Sequence, residues 1–151
     1  MREIIIKNEK EMIDFGKKTA ADLKGGDVLC LYGDLGAGKT TLTKGVAQIF
    51  GIKKRIKSPT FTLMNVYPVE TRETGMLAKL KLFNRVNFVH IDTYRLKDEQ
   101  ELLDIGAEDY LGAEDAICIV EWPEKIEGLL KNKKCVKIRI EHDKNGRRIQ
   151  Y

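Results

Sequence analysis

A glycine-rich loop between a strand-like and a helix-like segment constrains this chain more than any other feature. Residues 33–40 read GDLGAGKT and match the pattern G-x-x-x-x-G-K-[ST] at every fixed position. The preceding residues 28–32 are apolar strand formers. After the loop, an apolar stripe at helical spacing is formed by Leu42, Val46, Ile49 and Phe50. Strand, loop and helix in this order predict a site where backbone N–H groups and a helix N-terminus bind the phosphates of a nucleotide.

Side chains of this phosphate loop (residues 33–40) add to the backbone groups. Lys39 supplies a full positive charge to the phosphates, and the Thr40 hydroxyl is expected to hold Mg²⁺. We predict that the nucleotide is contacted by Gly33, Asp34, Gly36, Ala37, Gly38, Lys39, Thr40 and Thr41. An ordinary glycine-rich turn between a strand and a helix is the alternative, and the full pattern in this context argues against it.

Length and composition are those of an ordinary globular domain. The chain has 151 residues, 42% apolar and 33% charged, so residues 1–151 are predicted to form a single domain with its own core. No apolar run is long enough to span a membrane, and the N-terminus lacks the features of a signal peptide. We therefore expect a cytoplasmic protein without a membrane partner. The net charge of +4 tolerates a polyanionic neighbour without requiring one.

Strand-like and helix-like segments alternate along the chain. Strands are predicted at residues 3–7, 28–32, 61–67, 86–92, 116–121, 134–141 and 147–151. Helices are predicted from Asn8 to Gly25, over residues 39–50, and from Asp98 to Gly106. This order predicts a three-layer α/β fold whose central sheet is mostly parallel with antiparallel edge strands, and whose ligand lies at the carboxyl ends of the strands. Residues 134–141 alternate in polarity and are predicted to be an edge-type strand.

The cysteines are not expected to form a disulfide or a metal site. Cys30, Cys118 and Cys135 each lie in a strand-like stretch without C-x-x-C spacing. They are predicted to be buried, reduced thiols.

Two acids at strand ends are candidates for binding the metal. Asp92 and Glu121 each end an apolar run, and a parallel sheet would direct both toward the phosphate loop. The residues alone do not rank them, and either could instead cap the following turn. His90 precedes Asp92 by two positions and is more typical of a packed or hydrogen-bonded core residue than of a catalyst. Trp122 either covers the nucleotide or fills the end of the core.

The identity of the base is indicated by a missing segment. Guanine-specific phosphate-loop proteins use an [NT]-K-x-D string. The nearest string here is Asn132-Lys133-Lys134-Cys135, which lacks the acid that would pair with guanine. ATP is therefore predicted in preference to GTP.

Five strings together resemble one protein family. They are the loop with its continuation (residues 33–43), KSPTFTL (57–63), HIDTYRL (90–96), LDIG with the following DY pair (103–110) and IVEWPE (119–124). Their order and spacing span nearly the whole chain. They resemble the TsaE (YjeE) family, the bacterial P-loop ATPases of tRNA threonylcarbamoyladenosine biosynthesis.

The resemblance implies a P-loop NTPase fold and a small ATPase that needs ATP and Mg²⁺. It would act with the TsaD and TsaB proteins, which install threonylcarbamoyl on tRNA, and its ATP hydrolysis would reset the complex and allow multiple turnovers. Contact with tRNA would be indirect, through the complex. The resemblance makes Thr40 and Glu121 the Mg²⁺ ligands and Asp92 a group that positions the attacking water, beside the catalytic Lys39.

The resemblance also implies more peripheral contacts. The 58–60 stretch, with Thr60, would sense the γ-phosphate. Glu9 and Arg147 would contact the base side of the nucleotide. The connection over residues 69–85 is longer than in the family, and it is either a solvated insertion without a role or a contact for a partner or for tRNA.

Three other functions use the same loop. A small-molecule or nucleoside kinase would need a lid with further arginines, and only Arg95 and the Arg147-Arg148 pair are suitable candidates. A GTPase-like module lacks its guanine-binding segment here. A nucleotide-binding scaffold without useful hydrolysis would be distinguished by turnover measurements.

Overall fold

The computed structural model describes residues 2–70 and 85–151, which form one sheet with helices on both faces. The strands are β1 (Glu3–Ile6), β2 (Asp27–Tyr32), β3 (Met64–Glu70), β4 (Arg85–Asp92), β5 (Ala116–Glu121), β6 (Lys134–Asp143) and β7 (Gly146–Gln150). The helices are α1 (Glu9–Ala20), α2 (Lys39–Ile49), α3 (Gln100–Asp104) and α4 (Glu127–Leu130), with 3₁₀ turns at Ala107–Asp109 and Pro123–Ile126. Within these described ranges, no helix has the length and apolar character needed to cross a membrane.

The strand order across the sheet is β1-β7-β6-β2-β5-β4-β3. The four central strands, β6, β2, β5 and β4, run parallel to one another. At the edges, β3 pairs antiparallel with β4, and β7 pairs antiparallel with both β6 and β1. The prediction of an α/β fold with a parallel centre and antiparallel edges is thereby confirmed.

Two hydrophobic cores cover the two faces of the sheet. On one face, α1 and α2 contribute residues such as Phe15 and Leu42, which pack with Leu29 of β2. On the other face, Leu102 of α3 and Leu130 of α4 belong to a second core. Strand β5 is buried along its whole length, as its near-continuous apolar run predicts.

Helices α1 and α2 cross in backbone contact at two glycines. A Cβ atom on Gly16 would lie 2.3 Å from the carbonyl oxygen of Leu42, and one on Gly45 would lie 2.1 Å from that of Ile13. Glycine is therefore required at both positions, because a side chain would force the helices apart. The first helix is capped as predicted, since the Asn8 side chain accepts a hydrogen bond from the Glu11 N–H. It ends at Ala20, five residues before Gly25, in a series of tight turns.

Strand β3 differs from its predicted span. The prediction began it at Phe61, but residues 60–63 form a turn in which the Leu63 N–H donates to the Pro59 carbonyl at 2.6 Å. The strand starts at Met64 and continues through Pro68 to Glu70, three residues beyond its predicted end at residue 67. Proline is tolerated there because β3 is an edge strand, so its missing N–H need not pair with a second neighbour.

The prediction that residues 134–141 form an edge strand is wrong. Strand β6 lies between β2 and β7. Its alternation arises because Ile138 and Ile140 enter the core on one face while their neighbours on the other face remain exposed. One-sided burial thus produces the same pattern as an edge position.

The cysteine and insertion predictions are met in part. Cys30 and Cys118 are buried free thiols, whereas the free thiol Cys135 is only half-buried. Of the 69–85 connection, Val69 and Glu70 extend β3 and Arg85 begins β4. The rest of this connection, residues 71–84, lies outside the described residues.

Candidate nucleotide-binding site

The phosphate loop connects the end of β2 to the start of α2. Gly33 has φ +140°, and a Cβ atom there would lie 2.2 Å from the Ile140 carbonyl oxygen, so the loop can leave the sheet only at a glycine. Gly38 has φ +115° at the N-cap of α2, and no side chain within the described ranges caps that helix end. The first N–H groups of α2 therefore face a cavity without a side-chain partner.

Lys39 folds back onto the loop that precedes it. Its residue is 4% exposed, and its Nζ donates to the carbonyl oxygens of Gly33 at 2.5 Å and Asp34 at 2.9 Å. The ammonium also lies 3.8 Å from the centroid of the Trp122 ring. Burial lowers the pKa of Lys39, while the carboxylates of Glu121 and Asp92 oppose that change. The ammonium is thus held by groups that a phosphate could replace.

Glu121, at the end of β5, contacts the first turn of α2. Its Oε1 accepts a hydrogen bond from the Thr40 hydroxyl at 2.8 Å. The same oxygen lies 2.8 Å from His90 Nε2, which donates because a carboxylate can only accept. Glu121 is 3% exposed and His90 is fully buried. The two predicted metal ligands, Thr40 and Glu121, are therefore in direct contact.

Asp92 ends β4 beside Glu121, since the two residues are paired in the parallel register of β4 and β5. Its Oδ2 accepts hydrogen bonds from the hydroxyls of Ser58 and Thr60, the latter at 2.8 Å. Its Oδ1 accepts from the Tyr94 N–H at 2.9 Å. Asp92 therefore fixes the 58–60 segment at the edge of the site.

All predicted site residues except Gly33 and Asp34 line one or both of two cavities on either side of the phosphate loop. One, of about 320 Å³, is lined by Lys39, Thr40, Thr60, Asp92, Glu121 and Trp122, among others. The other, of about 330 Å³, is lined by Glu9, Arg147 and loop residues including Ala37. Gly36, Gly38 and Thr41 line both cavities. Such an arrangement can take phosphates on one side of the loop and a base on the other.

Arg147 also braces the loop. Its Nε donates to the Ala37 carbonyl at 3.1 Å, and its Nη2 lies 3.4 Å from the Gly36 carbonyl oxygen. These contacts turn two carbonyl groups toward β7. Asp34 contributes differently from the prediction, because its carbonyl oxygen binds Lys39 while its residue is exposed and lines neither cavity.

Trp122 belongs to the site and to neither hydrophobic core. It adopts a left-handed backbone conformation with φ 61°, which is uncommon outside glycine. Its half-buried ring lines the cavity beside Lys39 and packs on Tyr94 at a centroid distance of 5.0 Å. The strained backbone thus directs an aromatic face into the cavity.

Two further residues contact the predicted metal and water ligands. His90 is a buried, hydrogen-bonded core residue, as predicted, and its partner is the predicted metal ligand Glu121. Its position two residues before Asp92, on the same face of β4, was the available signal. The Ser58 hydroxyl donates to Asp92, a contact that the prediction for the 58–60 stretch does not include.

The residues present fit Mg²⁺ and a nucleotide triphosphate. Mg²⁺ prefers hard oxygen ligands in few protein groups, completed by water and phosphate. The Thr40 hydroxyl and the Glu121 carboxylate provide such oxygens beside Lys39 and the uncapped start of α2. Among the described residues, no group of three His, Cys, Asp or Glu side chains is arranged to hold a metal by itself.

Comparisons with known proteins agree with this geometry. The family model for threonylcarbamoyl adenosine biosynthesis protein TsaE matches residues 6–149. The chain belongs to the TsaE family. Named relatives in that family are the tRNA threonylcarbamoyladenosine biosynthesis proteins TsaE of Haemophilus influenzae and Aquifex aeolicus. The first is 40% identical over 130 residues, covering 83% of this chain and 73% of the relative, and the second is 34% identical over 149 residues, covering 91% and 96%.

A sequence and a crystal structure from Bacillus subtilis add to the comparison. Its TsaE is 42% identical over 120 residues, which cover 80% of this chain and 65% of the Bacillus protein. The crystal structure of Bacillus subtilis YdiB superposes with a TM-score of 0.67 at 30% identity, covering 98% of this chain and 82% of YdiB. The TsaE family membership predicted from the five strings is confirmed.

Proposed function

We propose that this TsaE-family chain is a single P-loop ATPase domain, residues 1–151, of the tRNA threonylcarbamoyladenosine machinery. It binds ATP with Mg²⁺ and hydrolyses it, and this hydrolysis allows TsaD and TsaB to modify tRNA repeatedly. The observation that carries the proposal is the contact between Thr40 and Glu121 beside a lysine held by replaceable carbonyl groups. The names of the relatives support the tRNA pathway.

Each residue of the cavity has one task in this proposal. Lys39 exchanges its carbonyl partners for phosphate oxygens, and the N–H groups at the start of α2 bind the same phosphates. Thr40 and Glu121 hold Mg²⁺, which when bound neutralises charge that develops on the phosphates. Asp92 would orient the attacking water, and Thr60, which donates to Asp92, would sense the γ-phosphate.

The second cavity is assigned to the base. Glu9 and Arg147 line it, and Arg147 also holds the loop carbonyls in place. Trp122 covers the phosphate side, where its ring already contacts Lys39. The cytoplasm is the compartment in which tRNA, ATP and the TsaD and TsaB partners would meet this chain.

The kinase alternative receives no comparable support. The relatives carry the name of a tRNA modification protein. A kinase also needs an acceptor pocket, and the two cavities beside the phosphate loop are both used by the nucleotide in the present proposal.

The test is ATP turnover by the purified chain with and without TsaD and TsaB, together with threonylcarbamoyl transfer to tRNA. Alone, the chain should turn over slowly, as expected for an ATPase whose site is completed only by its partners. TsaD and TsaB should change that rate, and several rounds of transfer should require a chain with intact Lys39. Equal numbers of rounds without this chain, or with Lys39→Ala, would refute the proposal.

A further inference from the structure

The segment that follows α2 concentrates positive charge. Residues 35–69 contain no Asp or Glu, but they contain six Lys or Arg residues. Four of these, Lys53, Lys54, Arg55 and Lys57, fall within five consecutive positions and are all exposed. The net charge of the whole chain is only +4, but the local charge of this region is strongly positive.

This region forms a concave surface and is not a loose tail. A cavity of about 220 Å³ is lined by Lys44 of α2 and by Lys53, Lys54 and Arg55, with no carboxylate in its lining. Ile56 is buried in the sheet-facing core and Ile52 packs against it. These two isoleucines fix the backbone, so the exposed side chains of residues 53–55 extend from an ordered segment.

The cations of this basic cavity are not neutralised by their surroundings. None of Lys53, Lys54 and Arg55 forms an ion pair with another residue of the described ranges. Lys44 has one partner, the exposed Glu9, at 3.7 Å. Keeping four like charges together costs free energy, and a bound polyanion would offset that cost.

We propose that the basic cavity binds the phosphate backbone of RNA directly, in addition to the indirect contact that the family resemblance implies, and the proposal rests on the tRNA-related function given above. Nucleic-acid affinity comes largely from lysines and arginines that neutralise phosphates, which is what this surface offers. A protein partner would be expected to use exposed aromatic or apolar anchors. The cavity has none, because its two isoleucines are largely covered.

The position of the cavity suits a substrate RNA. It shares no lining residue with either nucleotide cavity, so RNA and ATP can bind together. The basic segment leads directly into Ser58 and Thr60, which hydrogen-bond Asp92. RNA bound at residues 53–55 is therefore one short segment away from the site of ATP hydrolysis.

The chain offers a matched control on the other face of the sheet. Lys131, Lys133 and Lys137 also line a cavity, but that cavity includes Glu127. Replacing these three lysines by Gln changes the net charge as much as Lys53→Gln, Lys54→Gln and Arg55→Gln together. If only the 53/54/55 variant loses RNA binding, the position of the charges accounts for the loss, because the total charge is the same in both variants.

The experiment measures binding of a fluorescent, unmodified tRNA transcript to the full-length chain by anisotropy across a salt series. The 53/54/55 variant should bind at least about tenfold more weakly, and its slope of log K against log salt should be shallower by about two. The control variant should bind as the parent chain does. Nucleotide binding, followed by the fluorescence of Trp122, should be unchanged in both variants.

The inference would be overturned if the parent chain did not bind tRNA, or if both variants lost the same affinity for it. It would also be overturned if polyglutamate displaced the bound tRNA as effectively as unlabelled RNA of equal charge. The last result would assign the surface to an acidic protein. Because neither ATP turnover nor the TsaD and TsaB proteins enter this measurement, its failure is distinguishable from failure of the proposed ATPase function.

Discussion

At the scale of single residues, Glu121 connects two parts of the site. One oxygen accepts hydrogen bonds both from Thr40, at the start of α2, and from His90, in the middle of the sheet. A buried carboxylate is costly unless its oxygens are paired, so these two donors determine where it points. His90 is therefore a positioning residue for a predicted metal ligand.

Replacing His90 tests this role. His90→Leu should lower the affinity for Mg²⁺ in the presence of nucleotide by about 10–100-fold, because the Glu121 carboxylate loses a donor that orients it. His90→Gln keeps an N–H donor near the same place and should retain most of the affinity. Titration of Mg²⁺ against nucleotide-bound protein measures both. Equal losses in the two variants would indicate a packing role for His90 instead.

Lys39 and Asp92 should separate binding from hydrolysis. Lys39→Ala should lose nucleotide affinity and turnover together, because it removes the charge that meets the phosphates. Asp92→Asn should retain affinity and lose about 10²–10⁴-fold in turnover if Asp92 positions water. Calorimetric binding and single-turnover assays measure the two effects. Should Asp92→Asn instead abolish Mg²⁺-dependent binding, the roles of Asp92 and Glu121 would have to be exchanged.

At the scale of elements, local sequence patterns correctly predicted the features that are determined by residues close to one another in the chain. The phosphate loop, the Asn8 cap and the buried β5 all depend on residues near in sequence. The place of β6 inside the sheet depends on β7 returning beside it, which no pattern within residues 134–141 contains. Likewise the contact of His90 with Glu121 joins residues 31 positions apart, through parallel pairing of two strands.

The crossing of α1 and α2 permits a test in which the usual sign reverses. In an exposed helix, Gly→Ala stabilises by about 1 kcal/mol. Gly45→Ala should instead lower the free energy of unfolding by about 1–3 kcal/mol, because its Cβ would meet the Ile13 carbonyl. Gln48→Ala, at an exposed position of α2, is the control and should be close to neutral. Urea unfolding distinguishes these outcomes, and a stabilised Gly45→Ala would contradict the close crossing.

At the scale of the whole molecule, the two faces of the sheet differ in chemistry. The α1 and α2 face is packed with aliphatic and aromatic residues, whereas the opposite core includes the thiols of Cys30 and Cys118. Burial raises the pKa of both thiols, that of Cys118 from 9.0 to about 12. This face therefore favours the protonated, unreactive form of its cysteines.

Unfolding at alkaline pH should test the raised pKa of the Cys118 thiol in that core. Because the native state keeps the Cys118 proton up to a higher pH than the unfolded state, its contribution is fully present below pH 9 and is lost as pH rises toward 12. Cys118→Ala should therefore reduce the pH dependence of the unfolding free energy in this window, by up to about 1.4 kcal/mol per pH unit. Urea titrations at pH 8 and pH 10 provide the comparison. Parallel pH profiles for parent and variant would disprove the assignment.

The turn at residues 60–63 connects the buried Asp92 to the surface of the molecule. Asp92 holds this turn at both ends, through its side chain to Thr60 and through its N–H to the Leu63 carbonyl. Between these ends, Phe61 is 83% exposed and its ring lies under the Arg95 guanidinium. Asp92 is therefore linked by two hydrogen bonds to a turn that carries an exposed aromatic ring. A neighbouring molecule could sense events in the buried site by touching Phe61 alone.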